Sequence, residues 1–242
     1  FLFLLRYFKN TGDKRALGMV ESSLQEMGNG GIYDYIGFAF HRYATDENWL
    51  LPHFEKMLYD QAMLIMTYSE TYSATKNKDY AKTAHEIITY VLRDMTHKDG
   101  GFYSAEDADS EGEEGKFYVW SEVEIKEILK ENADEFIKTF NISKNGNFID
   151  EATRQKTGAN LPHTEASSNI ENKVIEDCRQ KLFKAREERI HPYKDDKILT
   201  DWNGLMVAAL SIAYQSLDSK NEEYLDAAEK SINFIYKNLF KD

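Results

Sequence analysis

An all-α fold, built of antiparallel helical hairpins closing into a ring, is what this sequence predicts, and three observations predict it. Apolar residues recur at helical spacing in paired stretches joined by very short links. Prolines number only three, while Ala, Leu, Glu, Lys and Met, which lose little rotamer freedom in a helix, are abundant. A block that follows a helix, Gly30-Gly31-Ile32-Tyr33-Asp34, returns as Gly100-Gly101-Phe102-Tyr103-Ser104, 70 positions later. That spacing fits one helical hairpin plus a long loop, and repetition at this scale points to stacked hairpins.

The elements follow in order. Residues 1–10 and 13–27 form a first pair, broken at Thr11-Gly12. Phe54, Met57, Leu58, Ala62, Ile65, Ser69 and Tyr72 mark a helix from Pro52 to Thr75. Ala84, Ile87, Ile88, Val91, Leu92 and Met95 mark the next, from Asp79 to Thr96, and the Lys76-Asn77-Lys78 link forces the two antiparallel. Capping boxes at Ser121-Glu122-Val123-Glu124 and Ser168-Asn169-Ile170-Glu171 predict helices to Lys130 and Glu188. Between them, Asn141 to Ser167 reads as an irregular connection with a short hairpin around Gly146. A last pair carries the stripes Trp202-Leu205-Met206-Ala209-Ala213-Leu217 and Leu225-Ala228-Ile232-Ile235-Leu239, with Asn221 as N-cap of the second. The paired glycines let the chain leave a helix in a left-handed conformation and pass close to a neighbour.

The 242 residues, 42% hydrophobic, are enough for one large core or two small ones. A net charge of −12, from 30 basic and 42 acidic side chains, argues against a nucleic-acid partner, whose phosphates demand a basic face. Cys178 stands alone, so there is neither an internal disulfide nor a CxxC motif, and a reducing, cytoplasmic location is expected. The opening Phe1-Leu2-Phe3-Leu4-Leu5 is too short for a membrane span and lacks a signal peptide's charged start, so no membrane partner is expected. Both ends read as cuts through helices, which makes this a portion of a larger ring.

Three segments concentrate chemistry outside the helical stripes. In the first, His41-Arg42-Tyr43 precedes His53, Glu55, Tyr59 and Asp60; His53 is placed at a helix mouth, where backbone N–H groups favour the neutral imidazole that accepts a proton. The second runs from Ser104 to Trp120 and crowds Glu106, Asp107, Asp109, Glu111, Glu113 and Glu114. An EF-hand counted from Asp107 fails because its twelfth position, which should be a bidentate Glu, is Tyr118. Glu106, Asp107 and Asp109 are therefore read as acid/base candidates, with Phe102, Tyr103, Phe117, Tyr118 and Trp120 as faces for a sugar to stack on. Glu113 and Glu114 are read as solvated. The third segment, Asp195 to Leu205, opens a helix at Trp202 and Asn203, with Thr200 or Asp201 as N-cap. No metal site and no cofactor are expected.

The blocks GGIYD, HRYATDENWLLPHFEKMLYDQAML, GGFYSAEDADSEGEEGKFYVW and DDKILTDWNGLM resemble the YyaL-like, spermatogenesis-associated thioredoxin-domain proteins over essentially the whole chain. The resemblance implies an (α/α)6-type toroid of six hairpins, similar to N-acylglucosamine 2-epimerases and six-hairpin glycosidases. Over residues 1–242 only part of it would be present, without the closing hairpins or the N-terminal thioredoxin-like domain. It implies a rim site at His41, Arg42, Tyr43, His53, Glu55, Tyr59, Asp60, Glu106, Asp107, Asp109, Trp202 and Asn203. Two departures stand out: Ile36-Gly37-Phe38-Ala39-Phe40 replaces a glycine run, and Asp201 replaces the serine before Trp-Asn-Gly.

Two functional classes follow. A carbohydrate-active protein would bind a small sugar, with His53 and His41 moving a proton in an epimerase, or Glu106 with Asp109 cleaving a bond in a hydrolase. Arg42, Tyr43, Glu55, Tyr59, Asp60, Tyr103, Trp120, Trp202 and Asn203 would hold that sugar. The alternative is a non-catalytic helical scaffold for a protein partner or for the thioredoxin-like domain of the same polypeptide.

Overall fold

The computed structural model describes residues 1–149, 155–165, 172–218 and 220–240. Nine α-helices occur among them: α1 (Leu2–Thr11), α2 (Lys14–Asn29), α3 (Leu58–Thr75), α4 (Lys78–Asp94), α5 (Glu122–Leu129), α6 (Ala133–Thr139), α7 (Lys173–Arg186), α8 (Thr200–Ser216) and α9 (Glu222–Asn238). The strands are pairs of residues only, so the class is predominantly all-α. The chain forms two compact units. One comprises Phe1–Gln25, Lys56–Glu106 and Lys194–Asp242; the other comprises Glu26–Glu55 and Asp107–Tyr193.

The first unit is made of helical hairpins. Lys76, left-handed at φ 60°, and Asn77, whose side chain accepts from Asp79 N, turn α3 into α4. Asn221 caps α9 in the same way, accepting from Glu223 N. α3 and α8 pack against each other, α4 lies on α3, and α9 lies on α8. α3 is buried on several faces, at Ala62, Ile65, Tyr68 and Tyr72 among others, while α8 buries one face through Met206, Ala209, Leu210 and Ala213, where small residues allow close approach. α4 and α9 keep one buried face each. A three-stranded sheet belongs to the same unit, with Lys56-Met57 and Lys194-Asp195 flanking Ala105-Glu106.

A polar clip joins α4 to α9, with His85 Nδ1 lying 2.5 Å from the Tyr224 hydroxyl. Burial pushes the His85 imidazolium below its ordinary value and the Tyr224 phenol up to about 12. The unfolded chain therefore binds a proton at His85 more readily than the folded one. The clip's contribution should be complete above the ordinary histidine range of about 6.5 and fade as pH falls through the lower folded value. Denaturation midpoints followed from pH 8 to about 4.5 should lose less in His85→Gln than in wild type.

In the second unit α5, α6 and α7 pack on one another beside an aromatic core of Phe54, Phe117, Tyr118 and Phe148, with Leu161 against it. Phe54 stacks on Tyr118 with centroids 5.6 Å apart. This core claims Phe117 and Tyr118, which were expected at a sugar face. Trp120, with 0% exposure, and Phe102, in the first unit, are likewise buried, because ring area is worth more inside than on a wetted rim. Gly115, left-handed at φ 75°, sits against this core: a Cβ there would lie 2.3 Å from the Phe54 ring.

Several boundaries differ from the sequence reading. The helix expected from Pro52 begins at Leu58, because residues 52–57 run extended: Pro52, Phe54 and Lys56 are buried while His53, Glu55 and Met57 are less so. α8 starts at Thr200 with Leu199 as cap, so neither Thr200 nor Asp201 caps it. Residues 168–171 of the second capping box lie outside the described residues; α7 begins at Lys173, capped by Asn172. Gly146 makes a tight turn to Ser143, and the strand pairing instead joins Ile149 to Lys156. α6 went unforeseen. The repeated glycines serve close approach: a Cβ on Gly30 would lie 2.2 Å from the Trp49 carbonyl, and one on Gly101 2.8 Å from Ile198. Of the four, only Gly100, at φ 106°, is left-handed. Where the resembling family carries a glycine run, Phe38 and Ala39 hold φ of 72° and 68°, conformations that cost a Cβ-bearing residue.

Candidate functional site

The second unit gathers the clearest polar constellation. Tyr43-Ala44 pairs with Pro52-His53, with Tyr43 opposite His53 and its ring stacked on the imidazole at 5.1 Å and 25°. His53 thus lies on a strand and not at a helix N-terminus; the backbone hydrogen bonds of the pair, set by the alternation through residue 57, hold it there. Its Nδ1 is 2.6 Å from Glu114 Oε1 and its Nε2 3.2 Å from Glu55 Oε2. Glu55 also accepts from Arg42 Nη1 at 2.7 Å, and the Arg42 guanidinium lies 6.0 Å from the Tyr43 ring centroid. His53, Glu55, Glu114 and Arg42 are all partly exposed.

Glu114 corrects the view of it as a solvated charge. The pair Asp109-Ser110 with Glu113-Glu114, turned at left-handed Glu111 and Gly112, aims it at His53 and at the Phe54 amide, 3.4 Å away. A carboxylate on one ring nitrogen fixes the orientation of a histidine and leaves the other to act. His41 sits behind the cluster, 2% exposed, its Nδ1 3.0 Å from the Phe54 carbonyl and its ring edge-on to Tyr118. Asp107 and Asp109 are exposed, and Asp107 accepts from the amide of Ala108.

The remaining candidates fall in the first unit. Glu106 is buried; its Oε2 accepts from the Tyr90 hydroxyl at 2.5 Å and its Oε1 lies 3.4 Å from Lys194 Nζ. Lys56 is 1% exposed, on a strand, with its ammonium 4.5 Å from the Tyr90 ring centroid. Tyr59 and Trp202 meet edge to face at 4.7 Å, and Tyr103 packs edge-on to His97. Asp60 lies in the first turn of α3. Asn203 is fully buried and spends its amide inside the protein. Its Oδ1 accepts from Phe102 N (2.7 Å) and Ser231 Oγ (3.1 Å), and its Nδ2 donates to Phe102 O (3.0 Å) and Leu199 O (2.9 Å). Among the described residues no group of three or more His, Cys, Asp or Glu side chains is placed to hold a metal ion, and no helix is long and apolar enough to cross a membrane.

Comparison with known proteins adds relatives. No family model matches the chain. Among solved structures, the cellobiose 2-epimerase of Bacillus thermoamylovorans aligns at a TM-score of 0.38 and 11% identity, covering 97% of this chain and 73% of that one. A D-mannose isomerase aligns at 0.32 and 13%, covering 90% and 50%. Superpositions this loose carry no argument about chemistry. Sequence relatives are much closer. Spermatogenesis-associated protein 20 of Mus musculus is 35% identical over 269 residues, 99% of this chain, and that of Homo sapiens 33% over the same span. An uncharacterized protein of Caenorhabditis elegans is 36% identical over 93% of the chain. The chain spans about a third of the length of these relatives, 34%, 34% and 35%. Over this segment, the chain belongs to the YyaL-like family of spermatogenesis-associated protein 20.

Proposed function

We propose that the chain carries a carbohydrate-active site of the epimerase kind, in which His53 moves a proton at the carbon beside the carbonyl of an opened sugar. The observation that supports this reading is the Glu114–His53 contact. A partly exposed imidazole is held at Nδ1 by a carboxylate at 2.6 Å, with its Nε2 toward the looser partner Glu55. A substrate hydroxyl or C–H would displace Glu55, and Glu55, itself held by Arg42, would accept hydrogen bonds from the sugar. Tyr43, which is exposed, offers a ring for the apolar face of the pyranose. A hydrolase using Glu106 with Asp109 is the weaker reading, because Glu106 is already engaged by Tyr90 and Lys194.

A second reading, a non-catalytic scaffold in the cytoplasm for a thioredoxin-like domain, is favoured by one fact: both His53 ring nitrogens already face carboxylates, as in a structural latch. Thermal melting separates the two. At about 100 Kd a neutral mono- or disaccharide should stabilise the native state by about 2.7 kcal/mol. His53→Gln should then keep the wild-type melting point without sugar and lose the shift with it. A lower melting point for His53→Gln, with no sugar in a broad panel moving wild type, favours the latch.

A further inference from the structure

A groove of about 560 Å³ runs over the second unit and shares no residue with the His53 cluster. Trp120, Arg189, Glu124, Ser121, Thr157 and Lys116 line it. A smaller hollow of about 360 Å³ continues it, with Ser121, Thr157 and Gly158 common to both, so the whole is elongated. At its floor the Arg189 guanidinium lies 3.9 Å from the Trp120 ring centroid. Arg189 is fixed by bonds to the carbonyls of Phe117 (2.6 Å) and Val119 (3.0 Å) and to Glu124 Oε1 (2.6 Å). Those bonds use three of its five N–H donors. The Trp120 indole N–H lies buried beneath the groove without a hydrogen-bond partner, so its resonance reports on the packing of that floor.

The charge pattern selects the ligand class. Arg189 is neutralised by Glu124, and Lys116 by Glu111 at 3.1 Å, while Glu188 adds a further negative charge on the rim. In the larger hollow a phosphorylated or carboxylated ligand would meet only these two paired cations; the smaller hollow adds Lys126, held by Glu122 at 2.5 Å, and Lys144. Alternating donors and acceptors, from guanidinium, carboxylate and the hydroxyls of Ser121 and Thr157, match groups that both give and accept hydrogen bonds. We propose that this groove binds a neutral, hydroxyl-rich chain, an oligosaccharide, at a site separate from His53. The proposal stands independently of the His53 reading.

The test is an indole N–H NMR titration of the whole chain with maltohexaose and cellohexaose. Its three tryptophans are Trp49, Trp120 and Trp202, and the Trp120 peak is assigned by elimination in Trp49→Phe and Trp202→Phe. Either hexaose should move the Trp120 peak saturably below about 10 mM. Thr157 is exposed on the groove wall, so Thr157→Trp should fold, plug the groove and abolish the shift. No shift with either hexaose, an unchanged shift in Thr157→Trp, or a shift only with an oligogalacturonate would overturn the proposal. His53→Gln should leave the titration as in wild type, which separates failure of the groove from failure of the His53 site.

Discussion

Arg186→Met is expected to destabilise the second unit by about 3–5 kcal/mol, the cost of breaking a fully buried ion pair. Arg186 and Asp34 form a fork, Nη1 to Oδ1 and Nη2 to Oδ2, both 2.9 Å, with each side chain almost entirely enclosed. Burial alone would push the guanidinium below its ordinary value, but the charge and hydrogen bonds of Asp34 outweigh it and hold the group above. The rings of Phe117, Tyr118 and Phe183 surround the cation at 5.0, 5.4 and 5.9 Å. Asp34 in turn accepts from the amides of Ile36 and Gly37, both at 3.0 Å, and so fixes the loop that leads to His41. Methionine fills much of the volume but strands the carboxylate in a low-dielectric site. Changing Asp34 to Asn in the same protein removes that charge while keeping an acceptor for the two amides, and should recover most of the loss. Urea denaturation of the two singles and the double, followed by tryptophan fluorescence, reads the cycle.

Asn203→Ala should cost the first unit about 3 kcal/mol or more. The substitution leaves the Phe102 amide and carbonyl and the Ser231 hydroxyl buried without their partner, and it detaches the Gly100–Tyr103 loop from the start of α8. Asn203→Asp should also be destabilising, since the new carboxylate would face the carbonyls of Phe102 and Leu199 with no donor to offer. Amide exchange at Phe102 is the direct readout: protected in wild type, fast in both variants. Since α8 begins within this clamp, Tyr59 and Trp202 should loosen with it.

The helices were legible because their stripes are long and their caps conventional. Ser121 and Asn221 each bond the amide their sequence position promised, and Asn77, read only as part of a link, caps α4 in the same way. The extended run from Pro52 to the start of α3 at Leu58 was hidden by one residue. Its buried positions alternate as Pro52, Phe54, Lys56 and Leu58, and a lysine at an inward position breaks the apolar pattern that would have announced it. Lys56 is stabilised there by the Tyr90 ring and faces Glu106 in the strand register, neither of which is local in sequence. The site was half legible for the same reason. Arg42, Tyr43, His53 and Glu55 lie within one short hairpin and could be grouped by proximity. Glu114 is 61 positions from His53 and sits in an acidic run that looks solvated. Only the left-handed turn at Glu111-Gly112 brings it back, and that glycine was the one available hint. Asp34 and Arg186, 152 positions apart, left no local signal at all.

Deuterium wash-in bears on the His53 site most directly. Neutral aldoses incubated with the protein in D2O and followed by proton NMR should lose the C2–H signal. His53→Gln should slow that loss by roughly 10²–10⁴-fold while its melting point holds, and Glu114→Gln should slow it less. Wash-in that proceeds equally fast in His53→Gln would contradict proton transfer by His53 outright.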